Sequence, residues 1–163
     1  MDEVRIRPVD PTAPEVAELL AALDAYQSTL YPSASLHFLP AEAMTGPGDR
    51  FLGASLGGAM VGCCGLVVRP EGYGELKRMF VRPEARGRGI AGRLLADLER
   101  YARAAGLTLL RLETGVSQPD SRRVCERAGF TRCGRFGDYP DDPLGVFMEK
   151  WLGVSGDGGA CGG

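Results

Sequence analysis

The chain has 163 residues, of which 44% are hydrophobic, 25% charged and 7% aromatic, and its formal charge is −2 with a pI of about 5.5. These proportions describe a globular chain and exclude collagenous and disordered ones, and the acidic balance lacks the basic footprint of a nucleic-acid binder. A chain of this length buries roughly 70% of the surface its unfolded form exposes, so a core forms without a disulfide or metal staple.

The longest apolar stretches are broken by Gly, Arg or Glu well short of the ~18 residues that a membrane helix needs. The start, MDEVRIRPVD, lacks the basic, apolar and small-residue succession of a secretory signal. A cytoplasmic location without membrane contact is the expectation. Cys63, Cys64, Cys125, Cys133 and Cys161 are odd in number and have no CxxC spacing, and His37 is the only histidine. Neither a disulfide framework nor a metal site is expected.

The first segment, VRIRPV, alternates in the manner of a strand. Thr12-Ala13-Pro14-Glu15 has the form of a capping box, and Val16, Leu19, Leu20 and Leu23 follow at helical spacing. Pro32 sets the latest end of that helix. Residues 33–48 read as irregular and substrate-facing, with a short helix over 40–44. RFLGASL, AMVGCCGLVV and ELKRMFV, joined by turns at Gly57-Gly58 and around Pro70 and Gly72, predict an antiparallel meander. Ile90, Leu94, Leu98 and Tyr101 define the clearest helix, with Glu99 and Arg103 paired four apart and Gly106 as its stop. TLLRLE predicts a strand, Ser121 to Ala128 a short helix closed by Gly129, and two strands cover Thr131–Phe136 and Val146–Lys150. Residues 1–152 read as one domain and 153–163 as a flexible Gly-rich tail.

The stretch from Glu75 to Arg93 carries six cations against two carboxylates, a local balance of +4 in an acidic chain. Within it a strand ends at Val81-Arg82-Pro83 and a Gly-rich turn, Arg86-Gly87-Arg88-Gly89-Ile90-Ala91, runs directly into the clearest helix. A helix N-terminus offers unpaired N–H groups and partial positive charge, so this turn is suited to phosphate oxygens. It matches neither G-x-G-x-x-G nor G-x-x-x-x-G-K-[ST], the two common nucleotide fingerprints.

The order strand, helix pair, three-strand meander ending in VRPEARGRGIA, helix, strand LRLET and short helix VCERAGF resembles the GNAT superfamily of acyl-CoA-dependent N-acetyltransferases. The likeness runs from about Val4 to Lys150. It implies a mixed α/β fold with a bent, mostly antiparallel sheet that splays open at the phosphate loop and carries helices on both faces. It also implies acetyl-CoA as co-substrate without a metal, and direct acetyl transfer to an amine acceptor, a small molecule in the leading reading. By the same resemblance, the backbone of Met79, Phe80 and Val81 holds the pantetheine arm and thioester. Arg86, Gly87, Arg88, Gly89, Ile90 and Ala91 hold the pyrophosphate, and Gln118 takes the family's Asn-like position near the cofactor. Homodimers are frequent among similar proteins, so a homodimer is one expectation.

Amide formation requires a neutral amine. Deprotonating an amine of pKa near 10 at pH 7 costs about 4 kcal/mol, which makes a base useful. Glu113, at the end of the fifth strand, and Glu75, opening the fourth, are the two candidates. Cys125 stands where the family commonly has a Tyr that protonates the leaving thiolate. It is either a weaker proton donor or a small packing residue, and Tyr139 is an alternative hydroxyl. His37 lies in the acceptor-facing segment, while Cys63 and Cys64 read as core residues facing opposite sides of a strand. Two other functions stay open: an acyl-CoA sensor or partner module without chemistry, and a protein or peptide N-acetyltransferase.

Overall fold

The computed structural model describes residues 3–153, so the tail of 153–163 lies, but for Gly153, outside the described residues. Seven strands, β1 (Val4–Pro8), β2 (Arg50–Leu56), β3 (Ala59–Val68), β4 (Gly74–Val81), β5 (Leu109–Gly115), β6 (Thr131–Arg132) and β7 (Gly145–Trp151), form one sheet in the order β1-β2-β3-β4-β5-β7-β6. Every pairing is antiparallel except β4 with β5. Three helices, α1 (Pro14–Leu30), α2 (Ile90–Ala104) and α3 (Pro119–Arg127), cover the two faces.

The alternating side chains of β3 divide the core. Cys63 and Val67 face α1, where they pack with Val16, Leu19, Leu20, Leu23, Met44, Phe51 and Phe80. Cys64 and Leu66 face the other way, against Leu94, Leu95, Leu98 and Ala102 of α2 and Cys125 of α3. Leu98 is wholly buried, so truncating it to Ala would cost about 3 kcal/mol and loosen α2 from the sheet.

Two local expectations are corrected. Thr12 is not the N-cap of α1: Ala13 is, without a side-chain cap, and the Thr12 N–H and hydroxyl both donate to Asp10 Oδ1. Asp10 thus closes a turn before the helix, and Pro14, which has no N–H to satisfy, starts it. The sixth strand is two residues long rather than six. Phe136 leaves the ladder to pack edge-on against Tyr73 and Phe147, with ring centroids 5.7 and 5.4 Å apart, and burying that ring replaces further pairing.

Two features open the sheet. The parallel β4–β5 ladder has three registered pairs, Gly74 with Leu110 through Leu76 with Leu112. Beyond them β4 stays with β3 while β5 stays with β7, so the two strands diverge as a wedge. Cys63 pairs with Phe80 and Gly65 with Lys77, which sets two residues of β4, Arg78 and Met79, against Cys64 alone. Arg78 takes the left-handed conformation at this bulge, with φ 62°, and is the sole non-glycine with positive φ among the described residues. The Cys63 thiol donates to the Arg78 carbonyl at 3.2 Å, satisfying an acceptor that the bulge exposes to the core.

Candidate active site

Two cavities meet inside the wedge. The larger, about 730 Å³, runs from Met79, Phe80 and Val81 along the turn before α2 to the flank of α3. The smaller, about 100 Å³, lies between β4 and β5, and Tyr31, Ser35, Leu36 and His37 also line it. Leu23, Met79, Leu95, Gln118 and Ser121 line both.

The larger cavity has the features of a phosphate-bearing cofactor site. Between Arg86, whose N–H donates to Pro83, and Arg93, whose N–H donates to Gly89, no intervening N–H has a backbone partner among the described residues. Gly87 and Gly89 turn the chain with φ of 83° and 73°, which an L side chain resists, so these N–H groups collect at the start of α2. Gly92, one residue past Ala91, also lines the cavity, and a Cβ there would project into open space. Acetyl-CoA fits such a cradle, since its pyrophosphate would accept from the free N–H groups. Of the six loop residues expected from the sequence, Arg86, Gly87, Gly89, Ile90 and Ala91 line the cavity and Arg88 does not. The Arg86 guanidinium is folded back, with Nε donating to the Val81 carbonyl at 3.1 Å.

Gln118 sits at the junction, immediately before α3. Its Oε1 accepts the Tyr31 hydroxyl at 3.0 Å, and the same hydroxyl accepts the Ser117 N–H at 3.2 Å. Ser121, on the first turn of α3, is hydrogen bonded to Thr114 at 3.2 Å.

The two candidate bases are in different surroundings. Glu113 lines the smaller cavity, has no hydrogen bond or ion pair among the described residues, and burial pushes its carboxyl up to about 7 against the pull of Lys77. Glu75 is 2% exposed and lines neither cavity. Its Oε1 accepts from Arg69 Nε at 2.7 Å and its Oε2 accepts the Tyr139 hydroxyl. Lys77 Nζ in turn donates to Tyr139 at 2.6 Å and lies 3.8 Å from Glu75. This is a closed buried network in which each carboxylate oxygen already has a donor, and burial drives the Tyr139 hydroxyl far above its ordinary range.

Cys125 lies at the inner wall of the smaller cavity, wholly buried, and burial pushes its thiol up to about 12. His37 also lines that cavity, with its ring edge-on to Tyr139 at 5.6 Å. Sequence reasoning missed Lys77, Arg78, Tyr31 and Ser121. No local pattern marks them, because a β-bulge, a helix end and a neighbouring helix bring them together. Among the described residues no group of three or more His, Cys, Asp or Glu could hold a metal ion, and no helix is long and apolar enough to cross a membrane.

A strand bulge facing a helix N-terminus across a splayed β4–β5 pair defines a class, the acyl-CoA N-acyltransferases, and comparison with known proteins agrees. The profile of the Acetyltransferase (GNAT) family matches residues 16–130. The chain is 46% identical over 153 residues to the IAA acetyltransferase of Azospirillum brasilense, covering 93% of this chain and 100% of that protein. It is 32% identical to YsnE of Bacillus subtilis, an uncharacterized N-acetyltransferase, over 88% of this chain and 96% of that one. A structure from Klebsiella pneumoniae subsp. pneumoniae, assigned as an acyl-CoA N-acyltransferase, has a TM-score of 0.77 at 39% identity, covering 91% of this chain and 97% of its own. The fold of Salmonella typhimurium yncA, solved with its cofactor acetyl-CoA, matches with a TM-score of 0.67 at 21% identity, covering 97% and 99%. The chain belongs to the GNAT family and is an acyl-CoA-dependent N-acetyltransferase.

Proposed function

We propose that the protein moves an acetyl group from acetyl-CoA to the amine of a small molecule by direct attack, with both substrates bound and Glu113 as the base. The observation that carries this reading is the meeting of a long cofactor-sized cavity and a small one at Met79, with Glu113 on the small side alone. At 100 Å³ the inner cavity is smaller than the roughly 150 Å³ that accommodates a benzene, which suits a few heavy atoms around the reacting amine. The relative from Azospirillum brasilense, named for IAA, supports a small-molecule acceptor as well.

The carboxyl value sets the energetics. Handing an ammonium proton of pKa near 10 to a carboxylate of 4.5 costs about 7 kcal/mol, whereas handing it to Glu113 costs about 4. Bound acetyl-CoA supplies the thioester carbonyl as acyl donor. Glu113 takes the first proton of the ammonium; as the freed nitrogen bonds to that carbon and the carbon–sulfur bond breaks, the nitrogen gives up its second proton to solvent and the thiolate leaves. We assign the Met79 backbone N–H, at the bulge, to the negative charge that develops on the carbonyl oxygen. Cys125 is a poor acid for the departing sulfur: moving a proton from a thiol near 12 to a thiolate of ordinary value near 8.5 is uphill by about 5 kcal/mol. In this reading Cys125 is a packing residue, Glu75 a structural counter-ion, and the thiolate departs without a dedicated acid.

Initial rates with acetyl-CoA and a panel of small amines test the proposal. Intersecting double-reciprocal lines, with turnover retained in Cys125→Ala, are expected. Parallel lines abolished by that substitution would replace direct attack with an acyl-cysteine route. Acetyl-CoA binding without turnover on any amine would make the domain a sensor.

A further inference from the structure

Arg78 carries three features that packing alone does not explain. It is a non-glycine residue in the left-handed conformation, which costs on the order of 1–2 kcal/mol. Its side chain is 6% exposed, its guanidinium carbon lies 5.5 Å from the centroid of the Phe38 ring, and the residue lines the smaller cavity. Its Nη1 donates to Asp24 at 2.6 Å, but Nε is buried with no hydrogen-bond partner. The second such atom among the described residues, Arg122 Nε, lines neither cavity. An unpaired buried donor costs about 1–3 kcal/mol, and strain together with an orphaned polar atom at one residue is a mark of a binding site.

The geometry of the guanidinium names the ligand. Asp24 takes Nη1, which leaves Nε and Nη2, the two parallel N–H groups that a planar carboxylate engages with both oxygens. The other charged groups on the cavity wall leave this role to Arg78. Lys77 is committed to Glu75 and Tyr139, and His37 packs on Tyr139. Of the two carboxylates on the wall, Asp142 already accepts the Leu144 N–H at 2.9 Å, and Glu113 is without a partner among the described residues and faces a cation. A ligand with both signs of charge therefore satisfies the wall, its ammonium toward Glu113 and its anion toward Arg78.

We propose that the acceptor is a small amino acid or similar amine that bears a carboxylate, and that the Nε/Nη2 edge of Arg78 clamps this carboxylate while the amine faces Glu113. The inference rests on acetyl transfer to a small-molecule amine in this cleft.

The test compares amino acids with their own decarboxylated amines and carboxamides, such as alanine with ethylamine and alaninamide, or serine with ethanolamine and serinamide. kcat/KM is expected to be at least ~10-fold higher for the acids, and this ratio should collapse toward one in Arg78→Gln. Arg78→Asn is the second variant, because Asn accepts the left-handed backbone. A native ratio near one overturns the proposal whether or not either variant folds, and so does a ratio that both variants preserve. Calorimetric titration of alanine and ethylamine into the protein saturated with CoA reads the subsite without turnover. Arg78-dependent binding of alanine without acetylation of any amine supports the clamp and rejects the transfer reading. Acetylation without preference for acids rejects the clamp and keeps the transfer. Neither turnover nor alanine binding rejects both.

Discussion

The hydroxyl of Tyr31, the residue that closes α1, donates to Oε1 of Gln118 at 3.0 Å and so ties the end of one helix to the approach of another across the mouth of the cleft. The contact depends on a glycine. A Cβ built on Gly115 would lie 1.9 Å from the Tyr31 oxygen, inside any permissible contact. Tyr31 can reach Gln118 because the last residue of β5 has no side chain.

Gly115→Ala is expected to displace the Tyr31 ring and destabilise the fold by about 1–3 kcal/mol. Tyr31→Phe keeps the ring and loses the hydroxyl, so it should cost only about 1 kcal/mol. Urea unfolding of the two variants checks the order. Equal losses would show that the close approach at Gly115 is relieved elsewhere.

The Glu113 carboxyl, raised by burial to about 7, predicts an ascending limb in kcat/KM with slope one through that pH, absent in Glu113→Gln. The residual rate of that variant should be lower by about 10²-fold. Stability carries the same signature. The folded state holds this proton more tightly than the unfolded chain, so the cost of the buried carboxylate is absent below its ordinary 4.5 and grows as the pH rises through about 7. Its ceiling is about 3 kcal/mol, reduced by the partial solvent access of the group. Glu113→Gln should therefore unfold like the native protein near pH 4 and become more stable than it above pH 7. A variant that loses stability across the whole range would contradict the assignment.

Glu75 offers the contrasting case. Its carboxylate holds Arg69 directly and Lys77 through Tyr139. Glu75→Gln strips the partly buried Arg69 and Lys77 of their counter-charge, and a loss of about 2 kcal/mol is expected. The ascending limb near pH 7 should survive in the folded fraction. Loss of that limb with stability intact would transfer the base role from Glu113 to Glu75.

Gly92 is the least disturbing place to test the cofactor cradle. It has ordinary helical geometry, and a Cβ there meets nothing within 4 Å. Gly92→Glu should leave the helix intact or firmer, since Gly is disfavoured in helices by about 1 kcal/mol, while its carboxylate faces the space reserved for phosphate. Calorimetry should record acetyl-CoA binding weakened at least ~10-fold with no loss of thermal stability. Unchanged affinity would move the phosphate site away from the start of α2.

The elements were legible wherever local chemistry decides. The stripe of Val16, Leu19, Leu20 and Leu23 announced α1, the Gly-separated apolar runs announced β2 to β4, and Ile90, Leu94 and Leu98 announced α2 with its glycine-rich entry. The opposed faces of Cys63 and Cys64 follow from the two-residue period of a strand. The inner cavity was not legible. Glu75 and Glu113 look alike as carboxylates at strand ends, and only burial beside Arg69 and Tyr139 separates the paired carboxylate from the unpaired one. Nothing in GELKRMFV says that β4 bulges opposite Cys64, because register is a property of two strands, and that bulge gives Arg78 its backbone conformation and its unpaired nitrogen. The sequence by itself determined the fold and the glycine-rich turn that enters α2, which rest on periodicity and on the freedom of glycine. Tertiary structure decided which charges are left without partners in the cleft, because that depends on what packs against each of them.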